Sequence, residues 1–227
     1  MALRLPLRHG EHQGHRDSGM VGRAGPCHAA LRLFGPWALN RRFASRKHRR
    51  LARRIGRDVG ADGRGARIVI GSSMGGWIAL LLARHLAKAG RSHELAGLVL
   101  IAPAFDMTET LMWRELPQAA KDEIAAKGVT YVPSAYAEPY PITRHLIDEG
   151  RSHLLEGHPF DPGCPVRILQ GMRDADVPWR HALALVDLLA GADIELTLIK
   201  SGDHRLSTPQ DLQRLTATIA ALVEHAG

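Results

Sequence analysis

The sequence predicts an α/β fold, a mostly parallel sheet flanked by helices, over residues 65–227, with a helical lid inserted at about 104–161. Three observations carry this. A G-x-S-x-G stretch, Gly71-Ser-Ser-Met-Gly75, joins a strand-like run to a helix-like run. A second strand follows that helix, completing a βαβ unit. Two further strands, late in the chain, each end just before a residue capable of acid–base chemistry.

The first stretch organises the rest. Arg67 to Ile70 has strand character, and Trp77 to Lys88 is rich in helix formers. G-x-S-x-G between a strand and a helix is the context of a nucleophile elbow. The chain must reverse within a few residues, with Ser73 held in a strained backbone conformation at the tip. Gly71 and Gly75 remove side chains that would collide with that turn. Ser73 Oγ is then exposed, the helix N-terminus behind it favours a developing oxyanion, and the Met74 N–H is one candidate donor to it. The bland alternative is an ordinary strand-to-helix loop made of glycine and serine.

After a turn at Gly90–His93, Leu95 to Ile101 is a continuous apolar run ending at Ala102-Pro103, as expected of a strand buried on both faces. Strand, helix and strand in this order imply a right-handed crossover and a parallel sheet. From Ala104 to Asp161 the character changes. Met107–Leu116 and Gln118–Ala126 read as helices, with Pro117 placed to open the second. Tyr131–Pro141 reads as irregular and Ile142–Leu155 as helix. Met107, Leu111, Met112 and Trp113 are candidates for an apolar acyl pocket; equally, they could only pack the lid onto the core.

Cys164–Gln170 reads as the next strand. Asp174 lies just past its carboxyl end, where parallel sheets collect ligand-facing groups. Asp176 competes with it, and either could be a turn or cap residue. Trp179–Leu189 is an amphipathic helix, Ile194–Ile199 the last strand and Pro209–His225 a closing helix. His204 follows that last strand. It is one of 13 histidines and could be a plain surface residue, but its position after Asp174 singles it out. Serine, acid and histidine in this chain order, each after a parallel strand, form a candidate catalytic triad. No metal-ligand spacing recurs, and no cofactor is expected.

The net charge of +7 conceals an asymmetry. Residues 1–64 hold 14 Arg and one Lys against four acids, which leaves +11 there and −4 in the remainder. This first quarter lacks readable periodicity. A polyanion-binding arm, an Arg-rich organellar transit peptide and a disordered basic tail all suit its composition. Nucleic acid is not the expected partner, because aromatics are sparse and no nucleic-acid motif appears. Another origin fits better: GC-rich DNA read out of frame. Back-translated with free synonymous choice and read one nucleotide later, Leu31–Leu39 becomes YDYLGHGRS, and Lys47–Ile55 can become STVGWRDAL. Synonymous codons in the coding DNA incompatible with that shifted reading would exclude it.

The longest apolar runs fall well short of the ~18 residues a bilayer requires, and Met1–Met20 has no apolar core of a signal peptide. Cys27 and Cys164 make no disulfide framework. A bacterial cytoplasmic protein is expected, with an organellar one as the alternative; oligomeric state is not legible.

Several stretches resemble one family. Gly71-Ser-Ser-Met-Gly-Gly-Trp77, Leu116-Pro117, Lys127-Gly-Val-Thr-Tyr-Val-Pro-Ser-Ala-Tyr136, Cys164-Pro-Val-Arg-Ile-Leu-Gln-Gly-Met-Arg-Asp174, Val177-Pro-Trp179 and Ser201-Gly-Asp-His-Arg205 are similar to the mitochondrial palmitoyl-protein thioesterase and acyl-glucuronide esterase branch of the α/β-hydrolase-domain family, and to its bacterial relatives. The resemblance covers roughly residues 66–225, lid included. It implies a serine esterase or thioesterase acting on a small-molecule acyl ester or thioester, or on an acylated protein. The departure is upstream. The family begins with a Gly-Gly-Phe-like oxyanion loop and a strand ending in G-H-G-x-S, and residues 1–64 as printed contain neither. The shifted reading approaches both, which points to a frame change ending near Asp58–Ala66 and to missing N-terminal sheet strands.

Overall fold

The computed structural model describes residues 65–133 and 139–226. The basic segment 1–64, and with it every expectation about an arm or a frame change, lies outside the described residues, as does the Ser134–Tyr136 end of the lid stretch.

Four parallel strands make the main sheet: β1 (Arg67–Ser72), β2 (Leu95–Ile101), β5 (Val166–Gly171) and β6 (Ile194–Ile199), in the spatial order β1-β2-β5-β6. Side chains alternate along these strands, as the pleat requires. Leu98 and Leu100 of β2, with Val166 and Ile168 of β5, enter one apolar cluster. Val99, Ile101 and Leu169, with Ile68 and Ile70 of β1, enter another on the opposite face. The first cluster is covered by α1 (Met74–Lys88), through Leu80, Ala83 and Leu86, and by α4 (Trp179–Leu188), through Ala182 and Leu185. The second is covered by α5 (Pro209–His225), through Leu222 with Leu215, Ile219 and Val223 alongside. Fully burying each leucine or isoleucine here contributes about 2–3 kcal/mol. Burial on both faces explains why β2 reads as one unbroken apolar run. A capping box, Thr208 with Asp211, starts α5.

The insertion between β2 and β5 is less helical than its sequence suggested. Thr108–Trp113 is a π-helix, within the stretch Met107–Leu116 expected to be an α-helix. The segment expected to be irregular instead contributes an antiparallel pair, β3 (Val129–Val132) with β4 (Tyr140–Thr143). Its β-branched and aromatic residues fit a pleated ladder, and Pro141 occupies a small two-stranded sheet where a missing N–H is tolerated. Helix α2 (Gln118–Lys127) ends on Gly128 at φ 80°, the left-handed position that glycine adopts without penalty. Helix α3 (Arg144–Arg151) starts on Thr143, whose hydroxyl accepts from the Leu146 N–H; it is shorter than the expected Ile142–Leu155.

The lid has its own small core of Leu116, Ile124, Ile142 and Ile147, with Met112 and Trp113 packed on it. Trp113 also carries two cations on its ring, Arg151 at 4.8 Å and Lys121 at 5.6 Å. Asp106 ties this unit to the sheet. It is fully buried, and its carboxylate accepts from the backbone N–H of Leu155 and of Glu156. Burial pushes its pKa up, against the pull of those N–H groups. Arg84 of α1 grips the same exit segment of the lid, donating to the carbonyls of Leu154 and His153. Replacing Asp106 with alanine should therefore strand the buried Leu155 N–H and release the part-buried Glu156 N–H, lowering stability by about 1–3 kcal/mol, read as a lower urea midpoint at unchanged slope.

Candidate active site

The sheet brings the three sequence-selected residues together at the carboxyl ends of β1, β5 and β6. Ser73 sits between β1 and α1 at φ 54°, ψ −122°, a backbone strain that an L-residue holds only when its surroundings compel it. Three hydrogen bonds do so. The Ser73 N–H donates to the Ile101 carbonyl at 2.8 Å, and the Ser73 carbonyl accepts from Gly76 N at 2.9 Å and Ala104 N at 3.1 Å. The partners beyond the elbow itself are Ile101, the last residue of β2, and Ala104, in the loop that follows it.

Glycine makes the turn possible. A Cβ on Gly71 would stand 2.3 Å from the Gly75 carbonyl oxygen, and one on Gly76 would stand 2.8 Å from the Pro103 Cβ. The expected pair Gly71 and Gly75 thus meet backbone to backbone. The requirement at Gly76 comes from α1 lying against Pro103, which only the fold reveals. Met74 is the first residue of α1, where the helix leaves its N–H groups without intrahelical partners; that N–H is the candidate oxyanion donor.

His204 Nε2 lies 3.1 Å from Ser73 Oγ, and His204 Nδ1 lies 2.8 Å from Asp174 Oδ2. The Asp174 side chain is fully buried and that of His204 is largely so. Asp176, the competing acid, is exposed and makes no such contact, although its charge reaches the imidazole. Its backbone N–H instead donates to Asp174 Oδ1 at 2.9 Å, as does Val177 N at 2.8 Å.

The charges follow from this arrangement. Burial pushes the Asp174 carboxyl up, but the hydrogen bond and charge of His204 together with the Val177 and Asp176 N–H groups outweigh it and hold the carboxyl below its ordinary range. Burial alone would favour a neutral His204. The Asp174 hydrogen bond and charge, helped by Asp176 and Asp203, outweigh that too and raise the imidazole above its ordinary value.

Two loops must touch for this contact to form. A Cβ on Gly171 would meet the carbonyl oxygens of Gly202 at 2.4 Å and Asp203 at 2.5 Å. The Arg173 N–H donates to the Gly202 carbonyl at 2.9 Å, and the Asp203 carboxylate accepts from Arg205 N and Leu206 N, each at 3.0 Å. Gly171 therefore sets the approach of the acid loop to the histidine loop.

The candidate pocket residues divide. Met107 packs on the main core, while Met112 and Trp113 serve the lid's own core. Leu111 is half-buried and belongs to neither cluster. Among the described residues, ligand atoms of Asp174, Asp176 and His204 lie within 4.8 Å of one another, close enough to hold a metal ion; Asp174 and His204 are also engaged with each other, with Ser73 and with backbone N–H groups.

The α/β hydrolase family model matches residues 12–227. The chain belongs to the α/β hydrolase family. Its relatives agree with the fold. A bacterial protein from Agrobacterium vitis S4 is 45% identical with a TM-score of 0.66, the match covering 70% of this chain and 62% of that one. The mouse α/β hydrolase domain-containing protein 10 is 30% identical with a TM-score of 0.70, covering 82% and 73%. The Bos taurus protein named palmitoyl-protein thioesterase ABHD10, mitochondrial, is 38% identical over 162 residues, 70% of this chain and 51% of that protein. The human protein of that name is 36% identical over the same length. This α/β hydrolase spans about half the length of the curated relatives it matches. Among the described residues no helix is long and apolar enough to cross a membrane.

The backbone collision at Gly71 cannot be relieved by a rotamer change. Gly71→Ala should displace the elbow, costing several kcal/mol or about that order, with a lower melting temperature and loss of any reactivity at Ser73.

Proposed function

We propose that this protein is a serine hydrolase that cleaves acyl esters and thioesters through Ser73, His204 and Asp174 and an acyl-enzyme intermediate. The observation that carries the reading is the continuous hydrogen-bonded line from Ser73 Oγ through His204 to the buried Asp174 carboxylate, with Ser73 on a strained turn before a helix. His204 Nε2 takes the Ser73 proton as Oγ attacks the substrate carbonyl, then gives it to the leaving alcohol or thiol. Asp174 holds the imidazole tautomer and balances its charge without being protonated. The Met74 N–H, at the positive end of α1, takes up charge on the carbonyl oxygen. Water, activated by His204, then releases the acid. The thioesterase names of the relatives support a thioester leaving group, with a small molecule or an acylated protein as the acyl donor.

A second reading is a catalytically impaired hydrolase. It rests on residues 1–64, whose printed sequence carries no Gly-Gly-Phe-like loop to supply the second oxyanion donor. Losing one such donor typically costs about 10²–10³ in rate. A fluorophosphonate probe separates the two. Labelling of Ser73 with multiple turnover of acyl thioesters supports the first reading, and labelling without turnover supports the second. Labelling that persists in Ser73→Ala would overturn both.

Asp174→Asn should lower kcat by about 10⁴-fold, because the amide holds the wrong imidazole tautomer, whereas Asp176→Asn should stay within about tenfold of wild type. Similar losses in both variants would count against Asp174 as the triad acid. The raised His204 pKa fixes the sign of the pH dependence. The neutral imidazole is the active base, so kcat/KM should rise with pH through a midpoint above the ordinary value of 6.5. A midpoint below it would contradict the charge balance around His204. A panel of acyl chain lengths carried on oxygen and sulfur leaving groups defines the substrate.

A further inference from the structure

Gln170, the penultimate residue of β5, is fully buried beside the triad, and half of its amide has no partner. Its Nε2 lies 3.1 Å from Asp174 Oδ2, 3.1 Å from the Gly171 carbonyl oxygen and 3.0 Å from the Val177 carbonyl oxygen. All three neighbours are acceptors, so the NH₂ end must face them; the flipped amide would set oxygen against three oxygens. Its Oε1 is left buried and unbonded among the described residues. A buried unpaired carbonyl is destabilising, and stability alone does not account for an amide here.

We propose that Gln170 is a positioning residue that acts through Asp174, an inference that rests on the serine hydrolase reading above. The Asp174 carboxylate receives four donors: Asp176 N and Val177 N on Oδ1, and Gln170 Nε2 and His204 Nδ1 on Oδ2. A carboxylate has about four lone-pair directions, and all are engaged. It has no free direction in which to take a proton, and it cannot turn about its Cβ–Cγ bond without breaking several bonds at once. Gln170 also shares the very oxygen that holds His204. Its N–H dipole withdraws charge from Oδ2 and so moderates the pull of Asp174 on the imidazole. The other charged groups facing His204 are Asp176 and Asp203, both of which favour its protonation. Gln170 works against them from the β5 side.

The sign of the effect follows. Without the donor, Asp174 is the stronger base and His204 stays protonated to higher pH. In Gln170→Met, nearly isosteric and donor-free, the His204 pKa read by NMR titration should rise by about one unit. The acid limb of kcat/KM should move the same way, with kcat lower by about tenfold and KM changed less than about twofold. Gln170→Glu is the second variant. Beside the buried Asp174 its carboxyl is held protonated and can donate to Oδ2, so it should keep more activity than the methionine variant at neutral pH and lose it as pH rises. A His204 titration and pH profile unchanged in both variants, with only the melting temperature lowered, would reduce Gln170 to a purely structural contact and overturn the proposal. The NMR readout needs no turnover. A wild type that neither labels nor hydrolyses therefore overturns the hydrolase reading alone, while the His204 shift still decides Gln170.

Discussion

The site depends on the clamp between the Ser73 peptide and the end of β2. The left-handed conformation of a serine with a side chain is unfavourable by itself, and it persists because both polar groups of that peptide are committed. The N–H is held by the Ile101 carbonyl and the carbonyl by Gly76 N and Ala104 N. Releasing the strain would break these three hydrogen bonds. The register of β1 against β2, which pairs Ser72 with Ile101, places the clamp. Parallel pairing therefore determines where Ser73, the candidate nucleophile, stands before its polar neighbours are considered.

The other two members arrive by the same logic from farther along the chain. β5 and β6 deliver Asp174 and His204 to the carboxyl end of the sheet because all four strands run the same way. The final approach is set by backbone rather than side chains, with Gly171 lying against Gly202 and Asp203. A residue of any size at position 171 would push the histidine loop away from the acid. The lid is tied into this arrangement near Ser73, since Ala104, Phe105 and Asp106 lead directly from the clamp into the insertion. Asp106 and Arg84 hold the lid's exit as well. Entry and exit of the insertion are thus anchored on the elbow helix and its adjoining loop.

Much of this was legible in the sequence, for identifiable reasons. β2, β6 and α5 have the bounds read from the sequence; β2 is a buried apolar run, and a capping box starts α5. The elbow helix begins at Met74 rather than Trp77: two glycines hide its first turn, although close packing on Pro103 requires Gly76 to be there. The lid was the poorest region. The π-helix Thr108–Trp113 is too short to show a sequence period, and Tyr131–Pro141 carries turn residues that mask two short strands. Gln170 and Asp106 were missed for a different reason. Each looks like an ordinary polar residue beside a strand end, and its burial depends on elements some distance away in the chain. The only available signal was a polar residue at the end of a strand, Gln170 directly after Ile168-Leu169.

The choice between Asp174 and Asp176 shows what spacing alone leaves open. Both carboxylates follow β5 within a few residues, and both lie near His204. They differ in what their surroundings do to a negative charge. Asp174 is buried at a cost in solvation, and four donors offset that cost. Two of those donors are backbone N–H groups supplied by Asp176 and Val177, so the loop that carries the competitor is folded around Asp174. Asp176, exposed to solvent, acts on the imidazole only through a screened charge. Desolvation would exclude Asp174 as an anion if it stood alone. Once its donors are in place, the same desolvation strengthens its hold on His204, because a charge–imidazolium interaction is larger where water is absent. Burial thus sets Asp174 apart from Asp176, and the N–H groups of Asp176 and Val177, together with the Gln170 amide, are what make that burial tolerable.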